Sequence, residues 1–157
     1  MSQQGTRAFY QIIDTIKTQL LEDPKVNSVT FGDITEVDLS KQTIFPLAHI
    51  IVNNVSFLDN IVNFNISVLT MDIVDQSKDE TTDIFRGNNN EQDILNSMLV
   101  VQNRLALEIK RGDLYTSKYQ LQGSPSCEPF TDRFEHVLAG WAMTFDIITN
   151  NDISVCD

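Results

Sequence analysis

Apolar residues recur at helical spacing over residues 6–22, where Phe9, Ile12, Ile13, Ile16 and Leu20 fall on one side and Asp14, Lys17 and Gln19 on the other. Such a stripe predicts an amphipathic helix. It stops at Asp23-Pro24, because proline has no amide proton and disfavours helical geometry in the residue before it. Between Val26 and Val74 the period shortens to two. Val29 and Phe31, then Ala48, Ile50 and Val52, then Val62, Phe64, Ile66 and Val68 mark three strands. In the second strand Leu47 and Ile51 occupy the opposite parity, which predicts cover on both faces, and Pro46 predicts an edge or entry position.

The third strand changes phase. Its apolar residues sit at even positions through Val68 and at odd positions in Leu69, Met71 and Ile73. A bulge near residues 68–70 accounts for the switch. The alternative is a strand end that buries a second face against a partner, since three apolar side chains would otherwise face water; the bulge is the preferred reading. Residues 75–90, DQSKDETTDIFRGNNN, read as a long polar loop carrying one apolar pair, Ile84-Phe85.

A second helix is expected over 91–111. Asn90 suits its N-cap, with Asp93 three residues on, and Lys110 and Arg111 precede Gly112 at its end. Its apolar stripe reads Leu95, Met98, Leu99, Leu105, Ala106 and Ile109. A fourth strand is expected around Tyr115 to Leu121, followed by GSPSCEPF as a turn-rich connection. The fifth strand alternates cleanly, with Val137, Ala139, Trp141, Met143, Phe145 and Ile147 on one parity and Gly140, Thr144 and Asp146 on the other. The expected fold is α/β in the α+β sense, a single domain over 1–157. In it a mixed, mostly antiparallel sheet of about five strands packs with two main helices, because each helix stripe must cover an apolar sheet face.

With 41% hydrophobic and 21% charged residues the composition is that of a globular chain with a core. Its 22 acidic residues against 11 basic ones give a net charge of -11, which disfavours wrapping of nucleic acid or binding to anionic lipid. Cys127 and Cys156 have no CxxC spacing, and MSQQGTRAFYQIID lacks the apolar core of a signal peptide. Reduced thiols and a cytosolic site of synthesis are the expectation.

No chemical motif stands out. His49 lies in the apolar strand LAHIIV and reads as a hydrogen-bonded structural histidine rather than a general base. Asp132 and His136 have the i, i+4 spacing that places two metal ligands on one helical face, but a third ligand is not in evidence. Asp72 with Asp75, and the loop acids Asp79, Glu80 and Asp83, read as solvated carboxylates, for no GxxxxGK[ST] or GxGxxG phosphate cradle accompanies them. No GxSxG occurs, neither cysteine has a neighbouring histidine, and the parity of Trp141 places it on the core face. The expectation is a non-enzyme without catalytic residues, cofactor or metal.

The element order, the segment SVTFGDITEVDLSKQTIFPLAHI and the ending LAGWAMTFDIITNNDISVCD resemble the small neck and tail-terminator (tail-completion) proteins of tailed bacteriophages, over most of the chain. The resemblance implies a virion structural protein made in the bacterial host cytoplasm. It implies a homo-oligomeric ring of six or twelve subunits that contacts neighbouring neck, connector or tail proteins, passes DNA through its centre without reading sequence, and touches no membrane. No family motif carries individual residues over. From the residues themselves, the candidate interface is Leu69, Met71 and Ile73 together with Ile84, Phe85 and Arg86. A cytosolic protein-binding adaptor is the alternative function, and an enzyme whose site assembles only in three dimensions is a further one.

Overall fold

The computed structural model describes residues 4–33, 44–74, 91–111, 119–133 and 137–150. The chain order is α1 (Gln4–Glu22), β1 (Ser28–Phe31), β2 (Leu47–Phe57), β3 (Ile61–Ile73), α2 (Glu91–Arg111), β4 (Gln120–Arg133) and β5 (Val137–Asn150). The strands form one sheet in the order β1-β2-β3-β5-β4. Only β1 and β2 run parallel; the other neighbours are antiparallel. The expected mixed five-stranded α+β architecture is therefore the one observed.

α1 buries Ile12, Ile16 and Leu20, while Phe9, expected in the same stripe, stays partly exposed with its ring edge-on to Phe31. The helix ends where Asp23 donates its amide to the Leu20 carbonyl and its carboxylate accepts the Lys25 amide at 3.0 Å. That carboxylate also receives Arg104 of α2 at 2.8 Å, which ties the end of the first helix to the second. β1 then enters the sheet, guided by the Asn27 and Ser28 amides, which donate to the Pro46 carbonyl. Pro46 stands at the entry of β2, after a cis Phe45–Pro46 bond, and β2 is an interior strand rather than an edge.

The expected bulge at residues 68–70 is absent. β3 pairs with β5 without interruption from Ile61↔Asn150 to Ile73↔Leu138, and the single irregularity against β2 falls between Val52 and Asn54. The phase switch has another cause. Even positions of β3, Val62 through Val68, face the helices and join the main core. On the other face Leu69, Met71 and Ile73 meet a second, smaller apolar cluster built on Phe45, Leu47, Met71 and Leu138, with Ile44 and Phe130 packed against it. A strand end covered on both faces needs apolar residues of both parities, so the pattern reports two cores, and Met71 is buried within its own chain.

α2 has the expected bounds, but its buried stripe is Ile94, Met98, Val101, Leu105 and Ile109, and Leu99 points outward, 40% exposed. Ile94 and Val101 complete the 3.6-residue period that the expected set broke. Both helices pack on one face, sharing a core with Ala48, Ile50, Phe64, Met143 and Phe145.

The largest departure from expectation is β4. GSPSCEPF, read as a connection, is part of a 14-residue edge strand. Its turn chemistry is absorbed in a bulge between Gln122 and Ser126, where Gly123 adopts φ +70, and an edge strand tolerates Pro125 and Pro129 because its outer side donates nothing to the ladder.

Candidate functional site

Of the six residues expected at an interface, Leu69, Met71 and Ile73 lie together on the face of β3 that turns away from the helices. Met71 is fully buried there, and Leu69 and Ile73 are half-buried against the same cluster. Ile84, Phe85 and Arg86 lie outside the described residues, as do Asp75, Asp79, Glu80, Asp83, His136 and Cys156.

His49 is fully buried, and both ring nitrogens are bonded. Nε2 lies 2.7 Å from the Gly32 carbonyl and must be the protonated nitrogen, so Nδ1 accepts the Thr30 hydroxyl at 2.6 Å. Burial holds its pKa below the ordinary value, opposed in part by the Gly32 bond and the Asp33 charge. The ring thus clips β1 onto β2, and its bonds leave no nitrogen for proton transfer to a substrate. Asp132 lies in β4, so the helical i, i+4 geometry invoked for a metal pair does not apply. Cys127 packs half-buried against the main core, and burial pushes its thiol pKa up, away from the reactive thiolate. Among the described residues no three His, Cys, Asp or Glu side chains group to hold a metal.

Three arrangements emerge that sequence reasoning did not find. The first is an open cleft of about 460 Å³ between the α1–β1 turn, Pro46, Asp72 and the first turns of α2, lined also by Lys25, Asp93 and Ser97. Burial raises the pKa of Asp72, partly opposed by the Ile73 amide that donates to Oδ1 at 2.8 Å.

The second is a polar ladder across the face of β2, β3 and β5 that carries no helix. Asn53 donates to Asn65 and Ser67, both at 2.8 Å; Asn65 and Asn63 donate to Asp146 at 2.9 and 3.2 Å; and Ser67 meets Thr144 at 2.9 Å. Its trace in the sequence is the alternation N-F-N-I-S in β3, which marks a polar face but not its partners on the neighbouring strands β2 and β5.

The third is a fringe of exposed apolar side chains. Phe31 is 52% exposed, Phe57 75% and Leu58 53%. The Phe9 ring lies 6.2 Å from Phe31 and 6.4 Å from the core residue Phe64. Phe64 pairs with Val55, and two residues on Phe57 pairs with Val62, so Phe57 extends the same face toward the β2–β3 turn. A sequence signal existed, since Phe57-Leu58 is an apolar pair standing directly before the polar turn residues Asp59 and Asn60, but it reads equally as a strand end.

No described helix is long and apolar enough to cross a membrane. Compared with known proteins, the chain matches no protein-family model and no curated protein.

Proposed function

We propose that the chain is a structural subunit of a phage neck or tail junction, a tail terminator or head-tail connector component that closes into a ring around a DNA passage. The observation that carries the reading is the apolar fringe. A chain that buries two separate clusters within itself still leaves Phe31, Phe57 and Leu58 in water on the β1–β2 half of the sheet, and large apolar side chains exposed together on one half of a subunit mark a protein contact.

Two further features support it. The polar ladder and the chemistry around His49 and Cys127 offer packing and hydrogen bonding rather than a reacting group, as a subunit whose activity is binding requires. The net charge of -11 keeps phosphates from sticking to a wall that DNA must pass.

The test is mass by light scattering, on the chain alone and mixed with the proteins encoded beside it. A discrete ring-sized species is expected in at least one of the two. A strictly monomeric mass in both overturns the proposal.

A further inference from the structure

Two chemically opposite patches lie on opposite halves of the sheet. The fringe belongs to the β1–β2 half, where Phe31 sits on the edge strand, Phe57 ends β2 and Leu58 follows it into the turn. Acids border it: Asp33 follows Phe31-Gly32, and Asp59 follows Phe57-Leu58 in the β2–β3 turn, both exposed. The other patch is on α2, which packs over β3, β5 and β4.

Leu99, Asn103, Leu107 and Arg111 are each four residues apart and all exposed, so they form one outward row on that helix. Leu99 and Leu107 supply apolar area, 40% and 47% exposed, and Lys110 joins Arg111 at the end of the row. Arg104 is already paired with Asp23, but at the end of the helix Lys110 and Arg111 stand exposed beside one acid, Glu108, in a protein where acids outnumber bases two to one. A second copy would be repelled by most of this surface but attracted here.

From this juxtaposition we infer that the acidic aromatic fringe of one subunit docks on the basic leucine row of α2 in the next. Two different patches on the two halves of the sheet make a heterologous, head-to-tail contact, which is the kind that closes into a ring; one self-complementary patch would stop at a dimer. The inference rests on the ring reading above and names the surfaces that build it. Phe57 is the anchor, and Asp59 opposite Lys110 and Arg111 sets the orientation. β4, the other edge strand of the described sheet, is not the docking element. Pro125 and Pro129 remove amide donors from it, and the bulge at Gly123 bends it, both of which oppose strand addition.

The experiment is a charge swap read by light scattering over a dilution series at low salt. Asp59→Lys and Lys110→Asp/Arg111→Asp are each expected to weaken association about tenfold or more. The two together are expected to restore it. Phe57→Ser is expected to abolish association without changing the thermal melting of the monomer, because this side chain lies mostly in water. A wild-type ring that all these variants leave intact, or a combined variant no better than its parents, overturns this interface while leaving the ring reading standing. A Phe57→Ser variant that melts early at unchanged mass assigns the fringe to the chain's own fold and also overturns it. A wild type that is monomeric alone and with its neighbours overturns both.

Discussion

At Gly140 a β-carbon would collide with the Thr70 carbonyl oxygen and lie 2.9 Å from the Met71 Cα, so the two central strands approach too closely for any other residue. The obstacles are backbone atoms that cannot step aside. Gly140→Ala is expected to cost about 3 kcal/mol, at the upper end for overpacking, measured by urea denaturation. His49 gives a pH dependence. Its folded pKa lies below the ordinary 6.5, so the unfolded chain takes up the proton first. The stability it contributes is complete above 6.5 and is lost as pH falls through the lower folded value. Denaturation midpoints should therefore drop from pH 7.5 to pH 5, and His49→Gln should flatten that slope; an unchanged slope would detach the effect from His49. Asp72 has the opposite sign, since burial raises its pKa and the folded state disfavours its charge. Asp72→Asn is expected to raise the melting temperature at pH 7, and to lose that advantage near pH 3.

At the scale of elements, α2 is bolted to the sheet by hydrogen bonds as well as by its apolar stripe. The Gln102 amide donates to the carbonyls of Val68 at 2.7 Å and Trp141 at 3.2 Å, the Thr70 hydroxyl donates to Met98, and the Trp141 indole N–H donates to Leu95 at 2.7 Å. Gln102 is fully buried, and its Oε1 has no partner among the described residues. Replacing it tests polarity against shape. Gln102→Leu loses the donors and is expected to cost about 1–3 kcal/mol. Gln102→Glu keeps the outline but aims a carboxylate at two carbonyl oxygens, so it should destabilise more than the leucine variant at pH 7. If the two variants unfold at the same denaturant concentration, the amide donors are not what fixes the helix.

At the scale of the whole molecule, the two helices cover one face of the sheet, and the second cluster covers only one end of the other. Beyond that cluster, the described residues of this face carry the polar ladder, which bonds strand to strand through Asp146 but leaves the buried Asn63 Oδ1 without a partner among the described residues. The fringe of Phe31, Phe57 and Leu58 instead leaves apolar side chains in water, and the proposed association at the β1–β2 end rests on this contrast. If oppositely charged rims orient the contact, assembly should weaken as salt rises from 0.05 to 0.5 M, roughly, while monomer melting changes little. Association that strengthens over that range would mean the apolar surfaces act alone.

The sequence by itself determined the elements whose apolar period is strong and local. α1, α2, β3 and β5 were legible because a side chain every 3.6 or every two residues must face one core, and their bounds follow from Asp23-Pro24 and from the alternation in β5. The structural role of His49 was also legible, from the apolar strand around it. What failed in the sequence were features set by distant partners. The double parity of Leu69, Met71 and Ile73 reads as a bulge until Phe45, Leu47 and Leu138 are brought against it. GSPSCEPF carries turn residues, and only its place on the sheet edge lets those residues form a strand. The candidate surfaces were the least visible, because Phe31 and Phe57 look like core residues in the chain. It takes the tertiary structure to show that both stay more than half exposed, and that α2 turns Leu99 and Leu107 outward beside its cations.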